Sequence, residues 1–159
     1  YTAFLFGEAG GRDLWQSPVL FWHLQAQAVM AGAGVLLIGG ALLDVTGVEA
    51  FAVPLLTWLA WALAIGTLAN LLILAVEYGG RHSTRNAAVA AHMLTHGRYK
   101  GAFWGGAIGL SVVTFALALA GALSENIGLL AVLGGVVAQV SLLIYEQAYV
   151  KAGQDVPLS

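Results

Sequence analysis

The sequence contains no cysteine, which excludes disulfides, thiolate zinc sites and cysteine-ligated iron–sulfur clusters within it. Any iron–sulfur chemistry has to be supplied by a partner. Charge is nearly as scarce. Asp, Glu, Lys and Arg make up 9% of the 159 residues, where soluble domains carry about 25%. The net charge of −2 offers no basic surface to nucleic acid. Histidine is short too. Only His23 lies in a long apolar run, while His82, His92 and His96 share a polar segment. A haem held between histidines on facing helices has no such pair here. His92 and His96 stand one helical turn apart without the glutamate of a zinc-protease helix, so they read as a solvated face. There is no phosphate loop, dinucleotide fingerprint or nucleophile elbow.

What the chain has in excess is apolar length, with 60% of its residues hydrophobic. Crossing a hydrocarbon core takes about 20 helical residues. Four runs are long enough: Pro18–Leu43, Phe51–Tyr78, Tyr99–Leu123 and Asn126–Val150. They are continuously apolar rather than alternating, which excludes barrel strands. The expected fold class is an all-α integral membrane protein with four transmembrane helices in one bundle. Ser17 is the expected cap of the first run, with Pro18 in its first turn, and Ser124 the cap of the last.

Residues 1–16 read as the end of a preceding helix and a loop, and 17–159 as the bundle. The opening Tyr1-Thr2-Ala3-Phe4-Leu5-Phe6 has no initiator methionine and no basic n-region. The chain therefore reads as the later part of a longer polypeptide. In the 79–98 loop, Ser83 or Thr84 caps a short surface helix near 86–96, closed by Gly97. Its Ala87, Ala88, Ala91 and Leu94 are expected against the membrane or a partner.

Charge separates the loops. All six basic residues, Arg12, Arg81, Arg85, Arg98, Lys100 and Lys151, lie toward one end of the spans. The other end holds Asp44, Glu49 and Glu125, with no Lys or Arg. The positive-inside rule makes the basic end cytoplasmic. Trp15, Tyr78, Tyr99, Trp104 and Tyr149 are expected there as an aromatic belt. Small residues predict close helix packing along Gly101, Gly105 and Gly109, with Gly106 beside them. Ala28 with Gly32, Ala131 with Gly135, and Gly134 with Ala138 predict the same on the first and last helices.

Polar groups inside a membrane are costly, which makes them functional candidates. His23 and Gln27 share one helix face at i and i+4, and Gln25 points elsewhere. His23 reads equally as a donor to a quinone carbonyl, a proton relay or a satisfied structural histidine. Gln27, Asn70, Gln139 and Ser141 read as interhelical hydrogen-bonders. Glu77 and Glu146 are the candidates for proton handling. Their plain alternative is contact with water or pairing with Arg81 or Lys151.

Several segments together carry a resemblance. Tyr1-Thr2-Ala3-Phe4-Leu5 is followed by Gly11-Arg12-Asp13-Leu14-Trp15-Gln16-Ser17-Pro18, then by the Ala-rich stretch from Gln27 to Ala33. Glu77 closes a helix, Gly97-Arg98-Tyr99 precedes Phe103-Trp104-Gly105-Gly106, and a tail runs from Ala152 to Ser159. In this order they resemble the NrfD/PsrC family, the polysulfide-reductase-type membrane subunits, over essentially the whole chain. The resemblance implies two bundles with roughly eight or more transmembrane helices, this chain supplying the later half. It implies no haem and no metal in this chain. It also implies electron exchange between a membrane quinone (menaquinone or ubiquinone) and a ferredoxin-like iron–sulfur subunit. That subunit serves a molybdopterin or other redox catalytic subunit, at a bacterial or archaeal inner membrane.

Tyr1 matches the tyrosine of the family's Tyr-Thr-Gly quinone motif, with Ala3 in place of the glycine. Quinone is accordingly expected at Tyr1 and His23. Arg12, Asp13 and Trp15 match the segment beyond that tyrosine and are expected near the iron–sulfur partner. Many members dock that partner on the outer face, opposite to the positive-inside assignment. Two other classes remain. A haem-b membrane anchor needs histidines from outside this chain. An ion-translocating or transporter subunit without redox chemistry draws on the scattered polar residues, but no clearly broken helix supports it.

Overall fold

The structure is a computed structural model that describes residues 1–47, 53–80, 82–124 and 127–157. Glu49, Arg81, Glu125, Leu158 and Ser159, and the expected helix starts Phe51 and Asn126, lie outside the described residues. Helices α1 (Thr2–Gly7), α2 (Leu20–Val45), α3 (Val53–Gly79), α4 (Arg85–Thr95), α5 (Leu110–Leu123) and α6 (Ile127–Asp155) follow in order. A 3-10 turn over Asp13–Gln16 leads into α2, and a π-helical segment over Ala102–Gly109 runs into α5. No strand occurs among the described residues.

Four helical stretches are long and apolar enough to cross a membrane: Leu20–Val45, Val53–Gly79, Ala102–Leu123 and Gly128–Asp155. No more than 39% of the most apolar window of any of them is buried in the chain, so lipid or further apolar helices have to cover the rest. The outward residues are large and apolar, among them Val35, Leu42, Ile65, Leu72, Val112 and Leu143. Many of the inward ones are small or polar, with Met30, Leu37, Leu63 and Leu74 filling the space between them. Lipid is as apolar as leucine, so burying leucine drives no association in it. Small side chains that let backbones approach do.

The four spans form an up-down-up-down square, α2–α3–α5–α6, with each neighbouring pair packed closely and α3 meeting α6 across the diagonal. Gly66 lies against Val29 and Met30 of α2, Gly34 of α2 against Gly135 of α6, and Gly121 of α5 against Ala131 of α6. Gly134 meets Leu117 and Ala118, and Gly106 meets Ile144. This corrects the expected stripe. Gly101, Gly105 and Gly32 have no neighbour within 4 Å of where a Cβ would stand, and Gly109 meets only Trp104 of its own helix. Four-residue spacing finds a face of the helix but does not say which face meets a helix. The α6 pairs Ala131 with Gly135 and Gly134 with Ala138 do lie in contacts.

Several boundaries move. The first span starts at Leu20 with Val19 at its cap and no side-chain cap bond. Ser17 contributes its backbone carbonyl to the Leu20 amide instead. Ser124 closes α5, its hydroxyl donating to the Gly121 carbonyl. The last helix runs on to Asp155, five residues beyond Val150.

The α6 extension is held by Arg12, whose Nη1 donates to the carbonyls of Gly153, Gln154 and Val156 at 2.9, 3.0 and 2.9 Å. Gly11, at φ +78°, provides the turn that aims it. A cation on the last carbonyls of a helix also suits its dipole. Replacing Arg12 with alanine is expected to cost about 1–3 kcal/mol. Faster amide exchange at the end of α6 would show it, and unchanged exchange there would remove Arg12 as the cap.

Helix α4 is capped by Thr84, whose hydroxyl accepts from the Ala87 amide at 3.1 Å. It lays Ala87, Ala90, Ala91 and Leu94 inward, with Ala90 and Leu94 in one cluster with Leu14, Tyr145, Tyr149 and Ala152. The expected membrane or partner face is thus turned onto the chain itself, and Ala88 is exposed. Gly97 follows the helix not through a left-handed φ but because a Cβ there would stand 2.8 Å from the Met93 Cα. Beyond it, the Tyr99 hydroxyl donates to Asp155 at 2.7 Å. That bond to a carboxylate raises the Tyr99 pKa above the usual tyrosine value. The tether holds while Tyr99 is neutral and is lost as pH rises through the raised value.

Candidate functional site

The basic half of the bundle holds a buried polar cluster. His23 enters from α2, Glu77 from the end of α3, and Tyr145 and Tyr149 from α6. The chain reverses between α2 and α3, and this antiparallel register sets His23 and Glu77 at one depth. His23 Nδ1 stands 3.2 Å from a Glu77 carboxylate oxygen, with the side chains 1% and 3% exposed. Among the described residues, neither Glu77 oxygen nor His23 Nε2 has a hydrogen-bond partner, so the close pair is not aligned as an N–H···O bond. The His23 ring packs at 5.1 Å from that of Tyr145, and the Tyr145 and Tyr78 hydroxyls lie 3.0 Å apart. Tyr149 donates to the Leu14 carbonyl at 3.1 Å.

Sequence spacing placed Glu77 at the interface, beside water or Arg81. The structure buries it on His23, while Arg81 lies outside the described residues. Tyr149 likewise leaves the expected aromatic belt for the core, whereas Trp104 is exposed and donates its indole N–H to the Thr95 carbonyl.

Beside this cluster a groove of about 620 Å³ opens between the chain's first residues, α2 and α6. Its walls include Tyr1, Gln25, Gln27, Gln139 and Glu146 among apolar residues such as Phe21, Leu142 and Leu143. Tyr1 is largely exposed, and Gln27 is buried with its amide nitrogen lacking a partner among the described residues. Gln139 bridges the helices, donating to the Ala31 carbonyl at 3.0 Å. Tyr1 and His23, expected together, are thus separated. Tyr1 lines the groove, and His23 sits a layer behind, in a small cavity that shares Leu24, Gln27 and Glu146 with it. Gln27 was read from sequence as an interhelical hydrogen-bonder. Its missing partner is a tertiary fact.

Farther along, Ser141 donates to the Gly106 and Ala107 carbonyls at 2.9 and 3.3 Å and meets Ser111 at 3.1 Å. These carbonyls belong to the π-helical segment, whose wider winding leaves backbone acceptors off the usual ladder. Asn70 and Thr114 are buried in α3 and α5.

Arg12, Asp13 and Trp15 cluster at the basic end. Asp13 accepts from the Thr84 hydroxyl at 2.6 Å, and the Trp15 ring packs on Phe6 and against Gly153. Among the described residues no group of three or more metal-ligating side chains occurs.

A square of four apolar spans around a buried His–Glu pair, with a groove beside it, defines a multi-pass membrane protein. The family described as polysulphide reductase, NrfD, matches residues 1–154, and the chain belongs to that family. Its members are quinone-related membrane subunits of redox complexes. No curated protein and no solved structure shows significant similarity to the chain.

Proposed function

We propose that this chain exchanges electrons between a membrane quinone and an iron–sulfur partner subunit, with the quinone headgroup in the groove between Tyr1, α2 and α6. The observation that carries this reading is the buried, unpartnered Gln27 amide nitrogen in the wall of a largely apolar groove. A quinone has carbonyl acceptors on an apolar ring, and a buried donor without a partner is costly unless something accepts from it. Ligand sites typically combine apolar walls with a few such polar groups. The groove fits that description. Tyr1 offers a second donor, and Glu146 an ionisable group at the wall.

Bound quinone supplies two-electron chemistry, and this chain's residues hold and orient it. The partner is a ferredoxin-like iron–sulfur subunit serving a molybdopterin or other redox subunit. Arg12, Asp13 and Trp15 mark the end at which it docks. The positive-inside rule places that end in the cytoplasm of a bacterial or archaeal cell.

Replacing Gln27 with leucine is expected to weaken quinone binding about tenfold. Tyr1→Phe is expected to slow quinone turnover and leave assembly of the complex intact. Quinone titration of the purified complex checks both. Unchanged affinity in Gln27→Leu would remove the headgroup from this groove.

A further inference from the structure

The buried pair has a cavity on each side. Behind Glu77 lies one of about 220 Å³, lined by Asp13, Ser17, Pro18, His82 and Ser83 among others. These residues belong to the connections at the basic end, so this cavity faces that aqueous surface. On the other side His23 lines a cavity of about 10 Å³ with Gln27, Tyr145 and Glu146. Gln27 and Glu146 also line the groove. A volume near 10 Å³ admits about one water where polar partners surround it. Glu77 touches the first cavity, His23 touches the second, and the two stand 3.2 Å apart. No other buried contact between a basic and an acidic side chain occurs among the described residues, since Arg98–Asp155 is exposed.

We infer that Glu77 and His23 form a proton path joining the aqueous basic face to the groove, which makes that face the side whose protons are exchanged during quinone chemistry. The inference rests on the groove reading above. Reduction of a quinone takes two electrons, from the iron–sulfur partner, and two protons, one for each carbonyl oxygen. Each proton enters the 220 Å³ cavity and binds the Glu77 carboxylate. It then crosses to His23 Nδ1 while the proton on Nε2 leaves toward Glu146 and the groove. One proton enters and one leaves, and a tautomer change returns the imidazole to its starting form. Quinol oxidation runs the same transfers backward. Tyr78, Tyr145 and Tyr149 are the other titratable groups against the pair. Asp13 and His82 share the outer cavity with Glu77.

The test uses the whole complex in liposomes, with pyranine on the basic side, a short-chain benzoquinol as donor and ferricyanide as terminal acceptor. Proton release at the basic face is expected in the native protein. Glu77→Gln should slow it roughly 10- to 100-fold, and Glu77→Asp should restore part of it. Ser83→Leu plugs the outer cavity from an exposed position, so its similar effect would not come from misfolding. A second readout needs no turnover. In the resting complex, infrared spectra should show the Glu77 carboxyl exchanging with D2O, more slowly in Ser83→Leu. Release at the opposite face would overturn the path. So would an unchanged rate in Glu77→Gln with quinone still bound. Loss of the groove reading appears separately, as quinone affinity indifferent to Gln27→Leu.

Discussion

Replacing His23 with leucine is expected to destabilise the protein by about 3 kcal/mol, and replacing His23 and Glu77 together with leucine to cost much less. The reason is the asymmetry of buried charge. Glu77 is 3% exposed on its side chain, and His23 is the basic side chain within 4 Å of it among the described residues. Without the imidazole, the carboxylate must stay charged without compensation or take up a proton, and either state is unfavourable in that interior. Removing both leaves two side chains of similar volume packed against Leu20, Tyr145 and α3. Thermal unfolding of the two single variants and the double variant measures the coupling directly. A double-variant loss equal to the sum of the two single losses would mean that the pair is not coupled. The distance between the ring and the carboxylate would then carry no energetic meaning.

The second large effect is expected at Gly135. A Cβ there would stand 2.8 Å from the carbonyl oxygen of Gly34 and 3.2 Å from its Cα. Both neighbours are backbone, so no flexible side chain can yield. Gly135→Ala is expected to cost about 2 kcal/mol, and leucine more, as α2 and α6 are forced apart. Gln139 would lose its bond to the Ala31 carbonyl, one turn along the same seam, and the groove would widen. Gly32→Leu, on the same helix as Gly34, is the contrast. Nothing lies within 4 Å of its Cβ position. The change is expected to stay within about 0.5 kcal/mol. Unfolding in detergent compares the variants, and similar losses at Gly32 and Gly135 would refute the packing described here.

These two glycines show what a single sequence can and cannot carry. Both sit in apolar helices next to small residues, and spacing alone ranked Gly32 with Gly135. Helical periodicity assigns residues to faces. It does not say which face meets a helix and which meets lipid when both are apolar. In a soluble bundle the solvent face is polar and the ambiguity disappears. In a membrane it remains.

The candidate site divides in the same way. His23, Glu77 and Glu146 were legible as candidates because polar groups in apolar runs are costly and few, and Tyr1 only through its match to the family's quinone motif. Glu77 was misplaced because it sits at the end of its span, where depth alone predicts contact with water. It turns inward because α3 meets α2 at His23, a pairing 54 positions apart in the chain that no local pattern encodes. Gln27 as an unpartnered donor could not be read at all, since partnership is a property of neighbours. Arg12 was legible as a charge near the interface, but its three bonds to the end of α6 lie more than 140 positions away.

The sequence by itself determined the class of protein, the number of spans, the polarity of the two ends and the family. Each follows from composition, run length or the order of short motifs along the chain. Only the tertiary structure decided which glycines touch, where Glu77 points, and that Tyr1 and His23 face different cavities. Those depend on rotation and register between helices. In a uniformly apolar bundle, close backbone packing and a handful of polar contacts fix them, because hydrophobic burial favours no particular face.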